Sequence, residues 1–431
     1  MSVEIFPCIS GQQLFAAVLG LALLTTPLPV VAQKNAAVGQ DEKSAPREVA
    51  AAAVATADPA DTSRTIPGPS HYLRIAYQYG WVLGTNDFLK GDNLSGEPID
   101  RFQSLRLEFG WQTNGSRDWH HAYNFPTYGL GIYGADYNND QELGNPTSLY
   151  GFFGWPLARS HRGQINLELA FGFTHDWQPY DPVNNPKNMA FGLGRSVHIE
   201  IGANAAYRLA RRWSLIGGIT GTHFSNGGTQ RPNHGLNQIG PILYVKYDTD
   251  KPVKPPVRRH NLPYEKKWDL VTTISAGKRN LDLEFADPEL RAKYGNQSYF
   301  IGNLTLGAGY RFSYRSRVAF GLDFCYDETV CDLILLEGIN SGTNTECNNG
   351  DKLELGGFGG YEIFANRTHL ILHLCYKIFT KDVPGRLPKF YQRLGARQFV
   401  YRDLFVGLNV RFHEIGSADN LEWVLGYKFE L

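Results

Sequence analysis

The chain has 431 residues, with 42 basic and 42 acidic side chains, so its formal net charge at pH 7 is zero. This balance gives no sign of a nucleic-acid partner. After Val31, no apolar run reaches the roughly 20 residues that a membrane-spanning helix needs. The abundance of glycine and aromatic residues is instead typical of an outer-membrane β-barrel, with a secreted β-sandwich as the alternative.

The N-terminus has the features of a secretory signal. Leu14 to Val31 is apolar, and the small residue Ala32 provides a cleavage site. The preceding segment contains Glu4 and no lysine or arginine, which departs from the usual pattern. We predict a signal peptide over residues 1–32, followed by a flexible periplasmic leader over residues 33–70, which is rich in alanine and proline and has no periodic pattern.

From His71 onward, the sequence alternates between apolar and polar residues in segments of about ten residues. Leu105, Leu107 and Phe109, for example, alternate with polar or charged residues. The pattern predicts about sixteen strands. These predicted strands span residues 71–84, 101–112, 127–138, 147–157, 163–176, 195–209, 213–225, 237–248, 267–279, 298–312, 316–327, 351–364, 368–379, 389–400, 404–414 and 420–431.

Long and short connections between these strands alternate. The segment from Thr85 to Asp100 is long, whereas the turn from Arg159 to Arg162 is tight. Long outer loops and short periplasmic turns are typical of outer-membrane barrels, and an even strand count returns both ends to the periplasm. The predicted fold class is therefore all-β, a transmembrane antiparallel β-barrel of about 16 strands over residues 71–431.

A proline-rich segment, Lys251 to Lys266, divides the strands into two groups of eight, within residues 71–248 and 267–431. It is either a long periplasmic turn of one large barrel or a linker between two eight-stranded units. We favour one large barrel, because only the C-terminal strand has the aromatic character of a closing strand.

The cysteine pattern gives no metal site. There is no Cys-x-x-Cys spacing and no cluster of histidine and cysteine, so we expect no metal and no cofactor. Cys331 and Cys347 lie in one predicted loop, where a disulfide is compatible with an oxidising compartment. Whether these two residues pair is left open by the sequence.

Asp287 to Tyr294 is predicted to form a short helix in another loop.

Three polar residues interrupt the apolar, lipid-facing series of two neighbouring strands. His223 and Ser225 continue the apolar series that begins at Trp213, and Asn237 begins the corresponding series of the next strand. Polar groups that face hydrocarbon are costly unless they have partners. Their placement therefore indicates a functional site.

The residue types suit nucleophilic catalysis. His223 is positioned to remove the proton of Ser225, and Asn237 to hold the imidazole in the required tautomer. The backbone N–H groups of Asn226, Gly227 and Gly228 are candidates for an oxyanion hole. The pattern therefore indicates a candidate site for nucleophilic catalysis, with the alternative that an interfacial histidine and serine simply hydrogen-bond lipid head groups.

The wider motif reads HFSNGG from His223 to Gly228, followed by PNxGL from Pro232 to Leu236. This segment resembles the active site of the lipid A 3-O-deacylases, the acyloxyacyl hydrolase family of outer-membrane barrels. The second half, including residues 390–395, is similar to longer members of that family. The resemblance implies hydrolysis of the 3-hydroxyacyl ester at position 3 of lipid A, in the lipopolysaccharide of the outer leaflet, with Ser225 as nucleophile and His223 as base.

One departure keeps two alternatives open. The family typically has a glutamate where this chain has Asn237. A Ser-His-Asn arrangement resembles outer-membrane phospholipase A, although the PNxGL continuation favours the deacylase. A third alternative is a porin or structural barrel without catalysis.

The expected location is the outer membrane of a Gram-negative cell, with the active site toward the outer leaflet. The oligomeric state is left open.

Overall fold

A computed structural model of the chain describes residues 68–250, 256–281, 283, 288–295, 297–343, 346–383, 386–413 and 417–431. The predicted signal peptide (1–32) lies outside these residues, as does nearly all of the predicted leader (33–70).

The first eight strands form a closed antiparallel barrel. They are β1 (Ser70–Leu83), β2 (Arg101–Gln112), β3 (Thr127–Asp136), β4 (Gly144–Arg159), β5 (Gly163–Trp177), β6 (Arg195–Arg208), β7 (Trp213–Ser225) and β8 (Leu236–Asp248). Each strand pairs with the next along the chain, and β8 pairs with β1 to close the sheet, with Tyr72 opposite Asp248 and Leu83 opposite Asn237.

The remaining eight strands form a second closed barrel. They are β9 (Lys267–Arg279), β10 (Tyr299–Arg311), β11 (Ser316–Asp327), β12 (Leu353–Ala365), β13 (Thr368–Phe379), β14 (Phe390–Tyr401), β15 (Leu404–His413) and β16 (Ser417–Glu430). β16 pairs with β9, with Leu421 opposite Lys278 and Glu430 opposite Asp269.

In the connections that the structure describes there are three short α-helices, α1 (Asp118–Ala122), α2 (Pro288–Tyr294) and α3 (Thr329–Ser341), and one 3-10 helix, Asn349–Lys352. The predicted short helix before Tyr294 is confirmed, whereas α3 was not predicted. A disulfide joins Cys331 of α3 to Cys347, which answers the pairing question that the sequence left open. No helix among the described residues is both long and apolar enough to cross a membrane.

The predicted all-β, antiparallel barrel fold with sixteen strands is confirmed. The preference for one large barrel is wrong, because β8 closes on β1 and the chain forms the two eight-stranded units that were the alternative. The error has a physical cause. Strands pair through backbone groups, so the apolar alternation of β8 is the same whether its neighbour is β1 or a ninth strand.

The outer faces of the strands are apolar, and side chains on the inner faces fill the interior of the barrel. Along β1, Leu73 and Ile75 are exposed, whereas Tyr72 and Ala76 are buried in the barrel. An apolar outer wall with a packed, polar interior is the arrangement expected of a small transmembrane barrel.

Ion pairs fill the interior of the first barrel. The two terminal nitrogens of Arg74 donate to the carboxylate of Glu168 at 2.9 and 2.7 Å, and its Nε donates to Glu108. Arg106 donates to Glu200 in the same interior. These buried charges therefore pair with one another, and they leave the barrel filled with side chains.

The second barrel is filled in the same way. Arg317 bridges Asp269 and Glu362, and Arg393 bridges Asp323 and Glu422. All six residues are buried. Two interiors crossed by buried ion pairs are poorly suited to conduction, which argues against the porin alternative.

The two barrels contact each other near α1, in the connection between β2 and β3. The hydroxyl of Tyr123, which follows α1, donates to the carbonyl oxygen of Phe364 at 2.6 Å. The guanidinium of Arg315, from the β10–β11 turn, lies 5.8 Å from the ring centre of Tyr123 and 5.7 Å from that of Trp155. Hydrogen-bond and cation–π contacts therefore hold one end of the two barrels side by side.

The interior ion pairs are expected to be essential for stability. The substitution Arg74→Ala leaves the carboxylates of Glu108 and Glu168 buried without their cation. Breaking a buried ion pair costs about 3–5 kcal/mol, so we expect the free energy of unfolding to fall by that amount. The denaturant midpoint of the protein refolded in detergent micelles measures this effect. The matched control is Arg162→Ala, at an exposed position between β4 and β5, and an equal midpoint for both variants would contradict the prediction.

Candidate active site

The pairing of β7 with β8 places His223 directly opposite Asn237. Nδ1 of His223 lies 2.8 Å from Oδ1 of Asn237. An amide oxygen accepts hydrogen bonds and cannot donate them, so this contact places the ring proton on Nδ1. Nε2 is left with a lone pair, which is the form of the imidazole that accepts a proton from a nucleophile.

Ser225 is the last residue of β7 and shares the outer face of that strand with His223. Only 8% of Ser225 is exposed, whereas Ile219 on the same face is 58% exposed. Asn237 is also buried. The three predicted residues are therefore brought together on the outer wall, where protein covers them more than it covers the apolar residues farther along the strand.

Gly235 provides part of this cover. Its φ is +67°, a conformation that favours glycine, and a methyl group there would lie 3.3 Å from Cε1 of His223 and 3.4 Å from Cβ of Ser225. The N–H of Gly235 donates to the carbonyl oxygen of Ala190 at 3.0 Å. The loop after β7 is thus held across the site by its backbone, with its glycine against both catalytic candidates.

Ser225 and His223 lie on the same face without a hydrogen bond between Oγ and the imidazole. Catalytic hydrogen bonds often tighten only when the substrate is bound. In this structure Asn237 already orients the ring of His223, and Ser225 lies beside that ring on the same face of β7.

The turn after Ser225 carries the predicted oxyanion donors. The N–H of Asn226 donates to Oδ1 of Asn233 at 2.8 Å, and the N–H of Gly228 donates to Oδ1 of Asn226 at 3.0 Å. The N–H of Gly227 has no acceptor among the described residues. Two of the three candidate donors are thus committed within the turn, and the N–H of Gly227 is the one available to a ligand.

The second barrel packs against the same turn. A methyl group on Gly227 would overlap the side chain of Leu421, and one on Gly228 would overlap the carbonyl oxygen of Asp419. Both belong to β16. Gly227 and Gly228 also have positive φ values of 66° and 79°. Glycine is required here by backbone conformation and by the close approach of the C-terminal barrel.

Sequence reasoning missed three residues of this arrangement. Gly235 and Asn233 belong to the PNxGL motif, which was noticed but given no structural role. The loop that contains Gly235 and Asn233 connects the two strands that carry the catalytic candidates. This position in the sequence could have predicted that the loop lies close to the site. Leu421 lies almost two hundred residues farther along the chain, and nothing in its sequence context indicates this contact.

Two family models match the chain. Residues 103–246 match the model described as lipid A 3-O-deacylase (PagL), and residues 266–431 match the model described as acyloxyacyl hydrolase, C-terminal domain. The first match contains His223, Ser225 and Asn237, and the second contains all eight strands of the C-terminal barrel. No curated protein sequence matches the chain.

Several solved structures are similar to parts of the chain. The crystal structure of the outer membrane enzyme PagL is 17% identical and covers 40% of this chain and 98% of its own, with a TM-score of 0.28. The Pseudomonas putida toluene transporter TodX is 11% identical, with coverage of 84% and 90% and a TM-score of 0.18. The siderophore receptor PirA from Pseudomonas aeruginosa is 9% identical, with coverage of 84% and 81% and a TM-score of 0.21. At these TM-scores the similarities carry no argument about the present chain.

The tautomer of His223 is directly testable. We expect His223 to carry its proton on Nδ1, and we expect Asn237→Ala to shift it toward a mixture of tautomers because the acceptor at 2.8 Å is lost. The ¹⁵N chemical shifts of histidine-labelled protein report the tautomer, and His223→Gln assigns the signal. Asn166→Ala serves as control, since Asn166 lies inside the barrel and bonds to Asn204. A His223 signal that is unchanged in Asn237→Ala would contradict the prediction.

Proposed function

Because the chain belongs to the lipid A 3-O-deacylase (PagL) family, we propose that it is an outer-membrane esterase that removes the 3-hydroxyacyl chain from position 3 of lipid A. The observation that carries this proposal is the hydrogen bond of 2.8 Å between His223 and Asn237, with Ser225 beside them on the outer wall. An oriented, neutral histidine next to a serine is the minimum that acyl transfer to a serine requires.

The proposed reaction has two steps. Nε2 of His223 takes the proton of Ser225, whose oxygen attacks the ester carbonyl to give a tetrahedral intermediate. The N–H of Gly227 stabilises its negative oxygen. The protonated histidine then donates its proton to the departing sugar oxygen, which leaves an acyl-serine. A water molecule then attacks this ester while the same histidine takes its proton, and the histidine returns that proton to the departing Oγ of Ser225 as the 3-hydroxy acid is released.

The placement of the site suits a lipid substrate. The acyl chains of lipid A already lie beside the outer wall of a barrel in the outer leaflet, so the ester reaches Ser225 without transfer of the chains into water. In this proposal, the end of the barrel that carries the β7–β8 loop faces the outer leaflet, and the short β4–β5 turn faces the periplasm.

The amide of Asn237 favours one second candidate, hydrolysis of glycerophospholipids. An amide orients the imidazole but cannot stabilise the imidazolium by charge, and the same Ser-His-Asn combination resembles outer-membrane phospholipase A. The family match over residues 103–246 favours the deacylase.

The first test is mass spectrometry of lipid A after incubation with the refolded protein and with Ser225→Ala. We expect the wild type alone to remove one 3-hydroxyacyl group, because only it has the nucleophile. Loss of the group with both proteins would assign the activity to a contaminant or to another residue. Intact lipid A with both, together with Ser225-dependent cleavage of phospholipid esters, would replace the deacylase by the phospholipase.

The side chain at position 237 is expected to set the rate. Asn237→Ala removes the acceptor that orients the imidazole, so we expect kcat to fall by about tenfold or more, with little change in KM. Asn237→Asp keeps the acceptor and adds a negative charge beside the imidazolium that forms in the reaction, so we expect kcat to rise above that of the wild type near neutral pH. Steady-state kinetics on the same ester measures both. An aspartate variant no faster than the alanine variant would contradict the proposed role of Asn237.

A further inference from the structure

The turn that follows Ser225, residues 226–228, is called here the active-site turn, and the outer face of β16 in the second barrel packs against it. Leu421 lies on the outward series of β16 and contacts the turn at Gly227, two residues beyond Ser225. It is half-buried, whereas Trp423, next on the same series, is 64% exposed. The outer face of β16 is thus covered only where it meets the active-site turn.

A lysine stands beside this contact. Lys278 is directly opposite Leu421 in the pairing of β16 with β9, and directly opposed residues of antiparallel strands have Cβ atoms about 4.5–5.5 Å apart. Lys278 therefore lies at the rim of the site, on the barrel opposite the one that carries Ser225.

The surroundings of Lys278 make it unusual for an outer wall. The outward series of β9 contains Trp268, Leu270 and Ile274, all exposed and apolar, and it ends in Lys278, which is also exposed. No acidic side chain among the described residues pairs with its ammonium group. A lysine at the end of a lipid-facing series extends toward the membrane surface, where its natural partner is an anionic lipid head group.

We propose that the C-terminal barrel forms one wall of the substrate site and that Lys278 binds a phosphate of the substrate head group. This inference rests on the proposed function. In lipid A, the sugar ring that carries the ester at position 3 also carries a phosphate, so one molecule presents the ester and the anion close together. Lys278 is a positioning residue here, since it holds the head group while the ester meets Ser225.

The test compares two substrates in uncharged detergent micelles, where no other anionic lipid is present. The substrates are phosphorylated lipid A and the same lipid A after removal of its phosphates. We expect Lys278→Gln to lower kcat/KM about tenfold on the phosphorylated substrate, as loss of a hydrogen bond to a charged group predicts. We expect no loss on the dephosphorylated substrate, and retention of activity in Lys278→Arg.

Lys389→Gln is the matched control. Lys389 is an exposed lysine just before β14 in the same barrel, three strands away from β9 around the sheet. It should behave like the wild type on both substrates. An equal loss for Lys278→Gln on both substrates, or no loss on either, would overturn the proposal. A loss that emerges only in vesicles with anionic phospholipids would assign the partner of Lys278 to a neighbouring lipid and overturn it as well.

A binding measurement separates this proposal from the proposed function. In the Ser225→Ala background no turnover is expected, and binding of phosphorylated lipid A is measured with and without Lys278→Gln. Weaker binding in the double variant, confined to the phosphorylated lipid, supports the role of Lys278 even if the wild type cleaves nothing. Equal binding refutes that role even if the wild type is an active deacylase.

Discussion

The structure depends on the closure of each sheet. Inside a membrane every backbone N–H and C=O must be paired within the protein, and a closed barrel of eight strands satisfies this requirement without an edge. Closure at eight strands leaves an interior just wide enough for side chains, which ion pairs such as Arg74 with Glu108 and Glu168 occupy. Little room remains inside for a substrate, and the candidate catalytic residues lie on the outer wall instead.

A polar site on an outer wall needs cover, and the fold provides it from two directions. The loop between β7 and β8 brings Gly235 against His223 and Ser225, and β16 of the second barrel brings Leu421 against Gly227. Each contact involves a glycine with positive φ. Such a site is open along the outer wall, while its polar groups are partly shielded from hydrocarbon.

Most strands were predictable from the sequence, because the alternation of apolar and polar residues is a local property of each strand. The strand predicted over residues 101–112 is the observed β2, and the strand predicted over 213–225 is the observed β7. The strand predicted over 147–157 was too short, because β4 extends to Gly144 through pairing with Trp177. That extension depends on a partner strand and leaves no alternating pattern in the sequence.

The sequence by itself determined which residues face outward, and therefore that His223, Ser225 and Asn237 share one face of two neighbouring strands. The tertiary structure decided that β8 closes on β1 and that, of the three N–H groups from Asn226 to Gly228, the one of Gly227 has no acceptor among the described residues. It also decided that Leu421 and Lys278 lie beside the site. The physical reason is the same for each. Each feature depends on which groups meet after the chain has folded, and these partners lie outside the few residues over which alternation is read, so no local pattern records them.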